Sequence, residues 1–508
     1  MPEPNVQRQQ AVFDLLHHLK GIDPLKQLFW SDLNYDRVNK ALSRRGWTDA
    51  TAGALAEDPV LLASGAGDFH VVYSRLASDK LLLGHERPIV SKLLHDHPYA
   101  LFVFSNSKQD YFHFLNVKYD DDVQKPRLFR RITVGPHERL RTASECIARL
   151  DLADLSPDLF GLSPLAIQKR HDDAFNVEPV TEEFFKTFVR LYHVFADEIA
   201  QAPDWNSQAG TLAQLLLDRM LFLYFIQKKG WLNQEPDYLY RRFKQCLRTD
   251  PSGSSFYDNV LYPLFLALSE GEPAKHIGAV PFLNGGLFEE AATQTQQQRL
   301  QATRIHVGNA TFRQLFEKLL ERFNFTVTED TPLDIEVAID PEMLGKIFES
   351  LILQLEKEPE WDLRKLTGSY YTPRSIVHFM CRESLKRYLL KHFSSDKSEA
   401  EIDTILSLPP IDQLSDDELQ RLRNATANLD PLGLREKLLA CRICDPAVGS
   451  GAFPVAMLHE MTSLLALPCR IASREQRASG LHKVMLERHL FPQQTIKVKM
   501  PNRSDFHA

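Results

Sequence analysis

The residues best suited to chemistry lie late in the chain, in "RICDPAVGSGAFPVAMLHEM", residues 442–461. Asp445 follows a short apolar run that reads as the end of a parallel strand. In open α/β sheets ligands bind outside the carboxyl ends of such strands. Gly449 and Gly451 let the backbone turn tightly and come close to a ligand. A helix beginning at Ala452 would aim its first amides and its dipole at the same place, favouring a carboxylate or phosphate. The spacing fits neither the G-x-G-x-x-G of dinucleotide folds nor the terminal Gly-Lys-Ser/Thr of a P-loop. Upstream, "LTGSYYTPRSIVHFM" (366–380) carries Tyr371, Thr372 and Pro373. Read alone, it is a helix start, with Thr372 as cap and Pro373 in the first turn. Cys441 and Cys444 form a CxxC, but no second pair or histidine lies close by in sequence. Small apolar residues on a buried strand suit them better than a zinc site.

These residues must be positioned by the rest of a 508-residue chain, long enough for about three domains. Hydrophobic residues at 44% and charged residues at 25% are ordinary for a globular protein. A net charge of −7 carries no global nucleic-acid signature, so a DNA partner would be met by local basic patches. Six cysteines are too sparse for a disulfide framework. The start lacks the basic-then-apolar pattern of a signal peptide. The longest apolar run, 215–226, is short for a bilayer and interrupted by Asp218 and Arg219. A soluble, cytoplasmic protein is the expectation.

Residues 1–150 read as a small α+β domain. A helix over 1–60 precedes strand-like runs at 69–76, 99–106, 111–119 and 127–134, expected to be antiparallel, with "ERPIVSKLLHDH" as a helix between the first two. Residues 151–330 read as a helical domain. Its helix over 181–200 starts at a capping Thr181, and a buried central helix covers 211–232, ending at Gly230. "VPFLNGGLFEE" (280–290) reads as a packed turn. A further helix opens at Asp340-Pro341, and the acid-rich 393–430 looks like a surface helical excursion. In the β-rich block Asp68 and Asn116-Val117-Lys118 stand roughly where a metal-dependent nuclease would carry an acid and an acid-x-Lys. Asn116 is a poor hard-metal ligand, and an exposed strand is the plainer reading. Arg127, Arg130, Arg131, Arg139 and Arg141 could meet phosphates or simply face solvent.

The wording DPAVGSGAF resembles motif I of adenine-specific DNA methyltransferases, and GSYYTP resembles the segment that precedes it in that family. "LLLDRMLFLYFIQKKGWL", "PFLNGGLFEE" and "TPLDIEVAIDPEMLGKIFESLI" occur in the same order in the large methylases of restriction–modification systems, type IIG enzymes among them. The similarity covers roughly residues 60–467. It implies that residues 331–467 begin an α/β class I (Rossmann-like) S-adenosylmethionine-dependent methyltransferase domain. It also implies S-adenosyl-L-methionine as cofactor and double-stranded DNA as partner. Tyr371, Thr372 and Pro373 would close over the methionine portion of the cofactor. Asp445, Ala447, Gly449, Gly451 and Phe453 would form its cradle.

The family also uses an Asn/Asp-Pro-Pro-Tyr/Phe loop to hold a flipped adenine. The chain has no such tetrapeptide: "LPPI" (408–411) and "MPNRSDF" (500–506) do not match it. No catalytic residue is therefore assigned. Residues 468–508 read as a basic tail, and the methyltransferase domain is expected to be incomplete. Motif I should leave its strand without neighbours, exposing an edge and an apolar face. A second chain carrying the base-holding loop and the specificity functions would complete the enzyme. The alternative is a truncated, non-catalytic DNA- or cofactor-binding protein.

Overall fold

The computed structural model describes residues 6–118, 128–156, 162–271, 276–283, 287–288, 305, 307–326, 334–339, 372, 374–393, 398–407, 416–427, 431–445 and 451–478. Contacts divide the chain into two compact units, residues 1–371 and 372–508.

The first unit is built on a seven-stranded sheet whose order in space follows order in sequence. Its strands are β1 (Asp36–Ala41), β2 (Val60–Gly65), β3 (Phe69–Arg75), β4 (Tyr99–Ser105), β5 (Phe112–Lys118), β6 (Leu128–Val134) and β7 (Asp334–Glu336). β1–β2, β2–β3, β4–β5 and β5–β6 pair antiparallel; of these only β4–β5 and β5–β6 join strands expected from the sequence. The sheet is nonetheless mixed, because β3–β4 and β6–β7 are parallel. The first parallel pair follows from the helix α2 (Leu83–Asp96) between its strands, since a crossover returns the chain in the same direction. The second cannot be read locally, because β7 comes from about 200 residues beyond β6.

Both faces of this sheet are covered, and the side chains alternate accordingly. On β5, Phe112 and Phe114 enter a cluster with Val12 and Leu16 of α1 (Val6–His17) and Ile147 of α3 (Leu140–Ala148). Leu115 and Val117 enter the opposite cluster, with Ile89, Val90 and Leu93 of α2. Next come α4 (Pro164–Ala174), α5 (Glu178–Ile199), α6 (Ala209–Lys228), α7 (Tyr238–Thr249), α8 (Tyr262–Glu270) and α9 (Asn309–Leu315). All but α4 build a third, aromatic-rich core, in which Phe243 stacks on Phe316 with ring centroids 4.5 Å apart.

Helix α5 begins three residues before the expected cap. Pro179 occupies its first turn, and the Thr181 hydroxyl donates back to the Val177 carbonyl at 3.1 Å instead of capping. α6 ends at Gly230 with φ 77°, a backbone glycine favours. The stretch Pro203–Lys228 is apolar and long enough to cross a membrane by length and composition. Met220, Leu217 and Leu223 of α6 are instead fully buried in the aromatic core. Arg219 escapes burial of its charge by donating to the Leu287 carbonyl at 2.7 Å and lying over the Phe265 ring. Asp218 beside it has its carboxyl pushed up to about 7 by burial. In the 280–290 turn, Phe288 packs on Phe222 and Phe265 as a structural turn would. Its two glycines, and the helix expected from Asp340, lie outside the described residues.

The second unit contains α10 (Arg374–Phe393), α11 (Glu399–Ser407), α12 (Asp416–Thr426), α13 (Pro431–Ala440) and α14 (Ala452–Ala478). The acid-rich excursion is helical as expected, yet it also contributes core. Ile402, Ile405 and Leu422 pack with Leu385, Leu389, Leu438 and Leu464. Lys386 ties α10 to α11 through Glu399 and Asp403, at 2.9 and 2.8 Å. α14 runs on past Leu467 to Ala478, so the first part of the basic tail is helical.

Candidate functional site

The two chemistry-bearing segments are each followed by a helix, and those helices pack together. Thr372, half-buried, stands two residues before the first residue of α10. Gly451 immediately precedes α14. Its φ is +83°, and no atom lies within 4 Å of where a Cβ would stand. Only glycine adopts that backbone without strain, and the space it leaves is open. The Val455 amide donates to the Gly451 carbonyl at 3.1 Å, closing the first turn of α14.

Along the contact, Val377 and Cys381 of α10 meet Ala456 of α14, and all three are buried. Ala452, Phe453 and Met457 pack against them. The Cys381 thiol reaches the Phe453 carbonyl at 3.7 Å, one of the first carbonyls of α14. Burial pushes this thiol up, so it stays protonated and can donate. One turn along, Glu460 of α14 accepts from the His378 ring at 2.6 Å and from Arg382 Nε at 2.9 Å. Residues 378 and 382 lie one turn apart on α10, so a single carboxylate grips both.

Among the expected cofactor residues, Thr372, Gly451 and Phe453 stand at the near ends of these paired helices. Asp445 is partly buried, in the irregular segment after α13. Tyr371, Pro373, Ala447 and Gly449 lie outside the described residues. His378, Cys381, Arg382 and Glu460 were not singled out from sequence. The available signal was Glu460, a lone acid in the apolar run "FPVAMLHEMTSLL". A mostly buried carboxylate needs a partner, and α10 supplies His378 and Arg382.

The segment before motif I departs from expectation. Residues 441–445 carry no regular secondary structure and, among the described residues, pair with no strand. Cys444 is exposed and Ile443 is 49% exposed, so the CxxC does not sit on a buried strand. Exposed apolar side chains in this unit include Ile376, Phe379 and Met380 on α10, Leu432 and Leu439 on α13, and Val455 on α14.

In the first unit the nuclease geometry does not assemble. Asn116 is fully buried; its amide donates to Asp172 of α4 at 2.7 Å and its carbonyl accepts from Gln168 at 3.0 Å. Asp68 is in the exposed turn before β3, with β4 between β3 and β5. That places it about 10 Å or more from Asn116. Among the described residues no three His, Cys, Asp or Glu side chains could share a metal ion. The arginines offered for phosphate contact are mostly spoken for. Arg131 is buried against Glu336 at 3.1 Å, Arg130 donates to the Asp172 carbonyl, Arg139 pairs with Glu321 and Asp237, and Arg141 with Glu145. Arg127 lies outside the described residues.

No family model matches the chain, and no solved structure matches it. A comparison with curated proteins finds a relative in Methanocaldococcus jannaschii named "Putative type II restriction enzyme and methyltransferase". It is 26% identical over 324 residues, covering 56% of this chain. The match spans only about a quarter of that relative's length (26%). The chain is thus distantly related to a protein of restriction–modification type, and its mixed α/β fold is compatible with that kinship.

Proposed function

We propose that this chain carries the cofactor-binding part of an S-adenosylmethionine-dependent, adenine-specific DNA methyltransferase of a restriction–modification system, working in the cytoplasm. The observation that carries the reading is the packing of α10 on α14, which brings the helix after GSYYTP against the helix after DPAVGSG. The residues present suit the cofactor. Gly451 leaves open space before a helix whose first amides favour a carboxylate, and Asp445 offers an acceptor for an amine. When bound, S-adenosylmethionine supplies an electrophilic sulfonium methyl group. The chain's own contribution is to fix the amino-acid end of the cofactor and to hold it in register through Glu460, His378 and Arg382. Positioning of this kind supplies much of the rate in a direct transfer.

The adenine-holding tetrapeptide is not in this sequence. A second polypeptide would carry it and complete the site. Methyl transfer from labelled cofactor to unmodified duplex DNA tests the reading. The chain alone should transfer none. With a co-encoded polypeptide bearing Asn-Pro-Pro-Tyr, label should appear on adenine. Label on cytosine, or none in either mixture, contradicts it. A non-catalytic cofactor- or DNA-binding protein is the second reading, favoured by the same missing tetrapeptide.

A further inference from the structure

The helix α7, "YLYRRFKQCLRT", differs in charge from the other surface helices of its unit. Its apolar side is fixed in the aromatic core by Tyr238, Leu239 and Phe243. This turns Arg241, Lys244, Gln245 and Arg248 outward, and all four are exposed. The spacing i, i+3, i+4, i+7 puts them on one face. A solvated helix face usually interleaves acids with bases, as α5 does with Lys186–Glu182 and Arg190–Glu183. From Tyr238 to Thr249 there is no acid.

The acids that flank α7 are already engaged. Glu235 takes Arg241 and Arg242, Asp237 takes Arg139, and Asp250 accepts from the Gly253 and Ser255 amides. Among the described residues Lys244 and Arg248 have no acidic partner. Lys244 instead lies 4.1 Å from the Tyr240 ring centroid, which keeps its ammonium close to the surface. The end of α6 adjoins the start of α7, where the Leu239 amide donates to Gln227. That end adds the exposed Lys229 and a 53% exposed Trp231.

We infer that the outer face of α7 is a docking site for the phosphate backbone of duplex DNA, built by Lys244 and Arg248 with Arg241 beside them. Over seven residues the helix rises about 10 Å, enough to span neighbouring phosphates on one strand. Such contacts add affinity without reading sequence. The inference takes its choice of polyanion from the function proposed above.

Fluorescence anisotropy of a labelled random-sequence duplex, titrated with the 508-residue chain across a salt series, tests it. Lys244→Gln with Arg248→Gln should weaken binding roughly tenfold and lower the slope of log affinity against log salt by about 1.8, two released counterions. Thermal melting and S-adenosylmethionine titration of the same variant should be unchanged, which separates this face from the cofactor site. An unchanged slope with affinity within twofold overturns the inference. So does a wild-type chain that does not bind duplex, or an equal loss for phosphatidylserine vesicles. None of these results touches cofactor binding.

Discussion

Among the described residues, 1–371 bury apolar side chains on both faces of a sheet and in an aromatic core, and the buried charges of Glu336 and Glu321 are paired with Arg131 and Arg139. Among the described residues, 372–508 bury two helical clusters and leave Phe379 63% and Leu432 66% exposed. The first region holds the larger described cores and shows no described catalytic cluster. The second holds the candidate site. The contrast teaches that the larger cores and the chemical promise lie in different parts of this chain.

The sharpest way to break the contrast is to open the first core. Phe316→Ala, at a fully buried ring stacked on Phe243, should cost about 3–5 kcal/mol in urea unfolding. A cost under about 1 kcal/mol would mean that this core is looser than its packing shows. Next is the buried pair Glu336–Arg131. Burial works against the Glu336 charge, but Arg131 and the Thr326 and Thr133 hydroxyls hold its carboxyl down at about 2, from an ordinary 4.5. A depressed carboxyl stabilises the fold above pH 4.5, and that stability drains away as pH falls towards 2. Glu336→Gln should cost about 3 kcal/mol at neutral pH and flatten that acid limb. An unaltered acid limb would contradict the pairing.

In the second region Glu460→Ala should cost about 1–3 kcal/mol, read as faster hydrogen exchange in α10, by releasing His378 and Arg382. The smallest effect sharpens the contrast from the other side. Phe379→Ser should change stability by less than about 0.5 kcal/mol and raise solubility. A large loss would mean that this face is covered after all.

Local pattern carried much of the fold. Four strand-like runs match β3, β4, β5 and β6, because β-branched and aromatic residues there sit between two covered faces. The apolar run of α6 was legible as a buried helix for the same reason. β1 was missed because "DRVNKA" is exposed throughout and carries no alternation. β7 was missed because a three-residue strand is defined by its partner, not by its own side chains. At the candidate site the glycine turn and YTP were legible as motifs. The Glu460 clamp was not, since its partners lie some 80 residues away in sequence. The expected strand at 442–445 does not form among the described residues.

The central claim is that α10 and α14 together frame a cradle for S-adenosylmethionine. Calorimetric titration of the 508-residue chain with that cofactor tests it most directly, alongside Gly451→Val, which puts a branched side chain where the backbone has φ +83°. One bound cofactor per chain, lost in the variant, is the predicted result; no heat of binding to the unaltered chain, or equal binding to both, would contradict it.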